Sequence, residues 1–387
     1  MISIPTELLF SVFERAYYKP DGFPDYDFLS ACSLVCTSWS YPAQSLLFRC
    51  TTQLRSNNAP IFHAAINPHT ARGRALGERV RSLHITVGRS MNDSYGPYEF
   101  AQLLKACPRL YELGLSTYGV HAFSEEVMDD LRKSGCGQSL RALNLMYCGV
   151  QSPIVYQLLT IWPSIQFLKI GTEISAAPPV IIHNNKDGDS NNGDVAQYGS
   201  RIRLYDLVLS RTLSAQVLSW LLYSSGSSLR VVDLRDMPGP DVKRVLAAHC
   251  THLRSLRLWH FSNDSASLMR MCPRLEELFV FHIPTLVPLV GLPETIEHFS
   301  FRNPLHNYRT TLRPIVNAIR GLPRLRVLTC DANSEQLEEF VELRGICEQK
   351  GVDIRVETMP FWVVRVRIIL RLYDMLTNLL SSMRTQW

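Results

Sequence analysis

Apolar residues along most of the chain recur in a short alternating pattern rather than in long runs. The pattern L-x-x-L-x-L, with conservative replacements, is read in CPRLYELGL from 107, SLRALNLMYC from 139, WPSIQFLKI from 162, SLRVVDLRD from 228, CTHLRSLRLWHF from 250, CPRLEELFVFHI from 272 and LPRLRVLTC from 322. Weaker matches are RSLHITV, LYDLVLS and TIEHFSF. The central anchors are Leu83, Leu113, Leu143, Leu168, Leu207, Val232, Leu256, Leu278, Phe299 and Leu328, spaced 21 to 39 residues apart, and VDIRVE near 354 closes the series. Alternation at period two turns one face of a short strand inward, and the residue three before the anchor fixes the turn that feeds it. Repetition at this period is the signature of a stacked-repeat architecture.

Helix-length segments separate the strands: YEFAQLLKAC, AFSEEVMDDLRKS, SPIVYQLLTIW, SAQVLSWLLYSS, PDVKRVLAAHC, DSASLMRMC, TLRPIVNAIRG and SEQLEEFVELRGICEQK. Several open on Ser, Asp or Pro, which suit the N-cap and first helical positions. Strand, turn and helix in repetition predict an α/β solenoid over 75–360, because parallel strands need crossovers. The strands would line its concave face and the helices its outside. Within it, HNNKDGDSNNGDVAQYGS at 183–200 has little to bury and is expected to be a flexible insertion. The recurring motif resembles leucine-rich repeats of the irregular, longer type found in intracellular adaptor proteins, a likeness that covers roughly 75–358.

The first fifty residues follow another pattern. IPTELLFSVFERAY predicts a helix opening at Pro5, with Leu8, Leu9, Val12, Phe13, Ala16 and Tyr17 along one broad apolar face. YYKPDGFPDY breaks it. A second helix from near Asp27 would carry Leu29, Cys32, Leu34, Val35, Cys36 and Trp39, and Ser40 with Pro42 would open a third. So small a unit buries only a modest share of its surface, so it is a docking piece, a cap on the repeats, or both.

The residues Ile4-Pro5-Thr6-Glu7-Leu8-Leu9, then Val12-Phe13, then Leu34-Val35-Cys36-Thr37-Ser38-Trp39 resemble the F-box, a module of about fifty residues opening on Leu-Pro-x-Glu-Leu-Leu and carrying a later Val-Cys-x-x-Trp. Ile4 replaces the usual Leu, and the break from Tyr17 to Asp27 is longer than usual. The resemblance implies domains at 1–50 (F-box), 51–74 (linker) and 75–360 (repeats). It also implies a role as the substrate-recognition subunit of a Skp-cullin-F-box ubiquitin ligase. Adaptor-facing residues carried over from it are Ile4, Pro5, Leu8, Leu9, Phe13, Leu34, Val35, Cys36 and Trp39. The alternative is a repeat scaffold with no ligase role, its first fifty residues serving as a cap.

On each strand the positions flanking the anchors face the open side. From Val232 to Phe299 these positions concentrate cations and aromatics, and Arg235, Arg257, Trp259, Phe279, Phe281 and Arg302 form the expected site for a protein substrate. A one-residue slip of any strand would exchange the faces and bury Trp259 or Phe281 instead.

Composition changes this picture little. The apolar share of 46% and charged share of 19% belong to an ordinary globular chain, and the net charge of +5 gives no coherent basic face, so nucleic acid is not expected as a partner. The start MISIPTELLFSVFERAY has no basic region and no small-residue cleavage site, and ten cysteines are spread without a disulfide framework. A cytoplasmic or nuclear location is therefore expected. The segment FWVVRVRIILRLYDMLTNLLSSMRTQW at 361–387 is interrupted by Arg365, Arg367, Arg371 and Asp374, which argues against a membrane span and for a capping helix, with a membrane-surface helix as the alternative. Cys32 and Cys36, one helical turn apart, are half a metal site with no matching pair nearby, and in the cluster His249, Cys250, His252 and His260 the cysteine holds the repeat position of Cys107 and Cys272, so both read as core thiols. No phosphate-binding glycine loop, dinucleotide fingerprint or nucleophile elbow occurs, so neither cofactor nor catalytic centre is expected.

Overall fold

Alternating short strands and capped helices stack into one repeating sheet. The computed structural model describes residues 4–19, 24–54, 59–88, 95–179, 199–283, 289–303 and 310–357. The chain divides into two compact units, one holding the residues up to Leu47 and the other Phe48–Arg355.

The larger unit is an α/β solenoid. Its sheet runs in chain order through β1 (Cys50–Leu54), β2 (Ser82–Gly88), β3 (Glu112–Tyr118), β4 (Ala142–Tyr147), β5 (Phe167–Ile170), β6 (Asp206–Leu209), β7 (Val231–Leu234), β8 (Ser255–Leu258), β9 (Glu277–Val280), β10 (His298–Phe301), β11 (Val327–Asp331) and β12 (Asp353–Glu357). The ten anchors from Leu83 to Leu328 pair in one unbroken parallel column, and all are buried. They share a single core with the inward faces of the intervening helices. Ser124, Ser214 and Ser262 each accept a hydrogen bond from the backbone N–H three residues on, and Pro97 and Pro240 open two other helices, so local chemistry starts each crossover where the sequence pattern places it.

A second ladder runs beside the core. The N–H groups of Arg81 and Ser82 both donate to the Arg49 carbonyl, those of Tyr111 and Glu112 to Arg81, and the same doubled bond repeats at every step to Val327 on Glu297. The ladder starts at Arg49, which corrects the expected linker at 51–74. That segment instead contains β1 and the helices Ala59–Ala65 and Ala71–Gly77, with Ile66 and Leu76 in the solenoid core. Its first strand lacks an apolar anchor, since Thr51 occupies the position paired with Leu83. Of the 183–200 insertion only Gly199 and Ser200 fall among the described residues, and Ser200 is buried with its hydroxyl on the Leu221 carbonyl at 3.0 Å. The expected capping helix at 361–387 lies outside them.

The smaller unit has three helices, α1 (Thr6–Ala16), α2 (Tyr26–Val35) and α3 (Thr37–Leu47). Asp25 caps α2 by accepting from the Phe28 N–H at 3.0 Å. The second helix ends earlier than its apolar pattern suggests. Cys36 is extended (φ −164°, ψ 170°), and its carbonyl accepts the first N–H bonds of the next helix, from Trp39 and Ser40. Trp39 therefore belongs to α3, which starts at Thr37 and carries Pro42 within it.

Candidate functional site

In α1, apolar positions spaced by four residues form two stripes, and the fold separates them. Leu9 and Phe13 point inward to Leu29, Cys32, Ala43 and Leu46, while Ile4, Leu8 and Val12 stay exposed. Phe13 is the centre of this core, with Phe28 at 6.1 Å and Trp39 at 5.3 Å between ring centroids. Leu9 and Phe13 are thus removed from the set of outward-facing docking residues: at 3% and 1% exposure they are core. Trp39 is half-buried against Phe13. At the end of α2, Leu34 is 83% and Val35 60% exposed, and Cys36 beside them is open to solvent. The Ser38 hydroxyl, 3.1 Å from the Cys36 sulfur, followed by backbone N–H groups of Trp39 and Ser38, lowers the thiol below its ordinary value. Val12 and Tyr41 are exposed apolar residues outside the adaptor-facing set carried over from the F-box, although Val12 lies in the matched Val12-Phe13 pair. The four-residue spacing from Leu8 to Val12 was the available signal.

On the solenoid, the first residues beyond β7, β8 and β9 occupy equivalent places on neighbouring strands. Side chains there stand one strand spacing apart, close enough to stack. Trp259 lies on Phe281 with centroids 3.9 Å apart and planes 11° from parallel, and the Arg235 guanidinium covers the Trp259 ring at 5.6 Å. No strand slip intervenes, and Arg235, Trp259 and Phe281 are partly exposed on the open face. Two further rings complete the cluster. His260 stacks on His282 at 4.7 Å, and His282 meets Trp259 and Phe281 edge-on at 5.3 and 5.1 Å. Burial first, then the nearby charge of His260, holds His282 below its ordinary value.

The other three expected residues lie deeper. Phe279 and Arg302 are each 5% exposed, with the Arg302 guanidinium 5.5 Å from the Phe279 ring. They form a floor rather than a contact surface. Arg257 is committed to Glu277 at 3.1 Å, and the same carboxylate takes His298 at 3.3 Å and the Ser255 hydroxyl. Burial works against the charge of Glu277, but the His298 hydrogen bond, the Arg257 charge and Ser255 outweigh it and hold the acid far below its ordinary value. Glu112 repeats the arrangement between β2 and β3 with Ser82 at 3.3 Å and His84 at 3.7 Å. A carboxylate between flanking donors thus stitches the open face at two places.

Among the described residues, no three His, Cys, Asp or Glu side chains gather as metal ligands, and no helix is long and apolar enough to cross a membrane. The ten cysteines are free and all but Cys36 are buried.

The fold places the chain in the class of α/β solenoids with one continuous parallel sheet, the architecture expected from a leucine-rich-repeat-like sequence. No family model matches the chain, and no curated protein matches it. Among solved structures it is similar to TLR13, described in complex with the RNA ssRNA13, at 12% identity and a TM-score of 0.29. That similarity covers 67% of this chain and 48% of TLR13, so the chain spans about half the length of that relative.

Proposed function

We propose that the protein is a non-catalytic substrate receptor, its N-terminal helices docking on a Skp-type adaptor of a cullin-RING ubiquitin ligase and its solenoid holding a protein substrate. The observation that carries this reading is the outer surface of the small unit. A piece of under fifty residues leaves Ile4, Leu8, Val12, Leu34 and Val35 in solvent while it has a core of its own in Leu9, Phe13 and Leu29. Residues that a helical unit does not use for its own packing form an apolar surface suited to a partner. The partly exposed Arg235, Trp259 and Phe281, a residue set typical of interface hot spots, support substrate capture on the solenoid. Holding both partners at once would act by raising the target's effective concentration at the ligase.

The test is co-purification of the full chain with the Skp-type adaptor, beside Leu8→Asp and Leu34→Asp. Both substitutions fall on exposed side chains and leave the core intact, so each is expected to weaken capture at least about tenfold. A folded chain that fails to bind the adaptor would instead favour a leucine-rich-repeat scaffold without a ligase role.

A further inference from the structure

Resting on the reading of the Trp259 cluster as a partner site, we infer that this cluster takes an acidic peptide segment, with a carboxylate on Arg235 beside an apolar side chain on the Trp259–Phe281 stack.

The argument begins with charge. In the one or two residues beyond strands β6 to β9 stand Arg211, Arg235, His260 and His282, against Asp236 as the single acid. Asp236 is 3.7 Å from Arg211, which leaves Arg235 with no carboxylate partner among the described residues. The other acids on these strands are engaged elsewhere: Glu277 holds Arg257 and His298, Asp206 and Asp233 are buried with their charge acting on Arg257, and Asp264 pairs with Lys243. A guanidinium 5.6 Å from an indole centroid makes a cation–π contact that uses none of its N–H donors, and a planar fork of donors is matched by a carboxylate. The imidazoles stand edge-on to the same stack, so their N–H groups are further donors at its border.

The rings supply the second half of the site. Trp259 and Phe281 are already in contact at 3.9 Å, so nothing inserts between them, and together they offer one continuous apolar ledge. Phe279 below touches Phe281, with centroids 6.5 Å apart, and is itself pinned by Arg302, which makes the ledge rigid. Rigid aromatic area bordered by an unpaired cation lowers the ordering cost of binding a short segment. A nucleic acid fits less well. It needs a track of cations along its phosphates and open ring faces for successive bases, whereas Trp259 has Phe281 stacked on it and the Arg235 guanidinium over its ring.

The experiment pans a random dodecapeptide library displayed on phage against the full chain and measures the selected peptides by fluorescence anisotropy. Enriched peptides are expected to carry Asp or Glu next to an aromatic or large aliphatic residue. Their affinity is expected to fall about tenfold with Arg235→Glu, and a peptide whose acids are replaced by Lys should regain binding to that variant. Arg235 is partly exposed and its substitution leaves the core untouched, so the charge exchange reads recognition rather than folding. Selected peptides without acids that still lose binding with Trp259→Ala and Phe281→Ala overturn the inference and leave the partner site standing. Peptides indifferent to both ring substitutions overturn the partner site as well. An empty selection overturns the peptide inference alone, since a folded-domain partner still suits the ledge. Binding of a labelled dT20 oligonucleotide that is lost with Trp259→Ala would reassign the ledge to nucleic acid.

Discussion

At the residue scale, the solenoid's open face is organised by a few charges whose partners come from neighbouring strands. Glu277 is the clearest case, because one carboxylate binds Arg257, His298 and Ser255 from β8 and β10. Its acid is depressed in the folded state, so its stabilisation is complete above the ordinary value of 4.5 and is lost as pH falls through the lower, folded value. Glu277→Gln is accordingly expected to cost about 3 kcal/mol at pH 7, where Arg257 and His298 lose the carboxylate they share, as measured by urea unfolding. Below about pH 4 the gap between the wild type and the variant should narrow, since the unfolded wild type then takes up a proton on Glu277 that the folded state still resists. A gap that stays constant from pH 7 to pH 3 would show that the fold does not hold Glu277 below its ordinary value.

At the scale of elements, register decides which side chains meet. Between β3 and β4 the pairing advances by one residue, from Leu115 on Leu145 to Ser116 on Tyr147, so Met146 is the extra residue of a bulge. The bulge carries Tyr147 onto Tyr118, where the rings stack at 4.6 Å, and it presses the Met146 carbonyl toward the end of β5. Only a glycine fits there. A Cβ on Gly171 would sit 2.6 Å from that oxygen, which is backbone and cannot rotate away. Gly171→Ala is expected to lower stability by about 1–3 kcal/mol, whereas Gly226→Ala, with open space around it, should change little. Denaturant midpoints of the two variants check the contrast. Nothing in the sequence marks Gly171 for this role, because a bulge leaves no mark in a pattern of period two.

At the scale of the whole molecule, the two units have separate cores. One is centred on Phe13, and the other runs from Ile66 to Val352. A core of seven buried residues among those described gives the small unit little reserve. Phe13→Ala, which removes the ring that Phe28 and Trp39 pack on, is expected to cost about 3–5 kcal/mol and to open the three helices. Hydrogen exchange should then show loss of protection in residues 6–47, with the strands from β3 to β11 as protected as before. Loss of protection throughout the sheet would mean that the two units fold as one.

The sequence alone determined the repeat. Alternation places an apolar side chain at every second position of each strand, and Leu83 to Leu328 therefore stack in a single column whatever the spacing between them. The helix starts at Ser124, Ser214 and Pro240 were equally legible, since caps act within three residues of themselves. What the tertiary structure alone decided is the division of apolar residues between core and surface. Leu8 and Leu9 are adjacent and chemically identical, yet one faces solvent and the other α2 and α3, and no local signal separates them. The start of the sheet at β1 was hidden for a similar reason: Thr51 is held by backbone pairing to Leu83 and by the ladder from Arg49, neither of which needs an apolar side chain. The open face shows the same limit. Arg235, Arg257 and Arg302 look alike in sequence, and only the neighbouring strands set the first over Trp259 with no carboxylate partner among the described residues, tie the second to Glu277 and bury the third over Phe279.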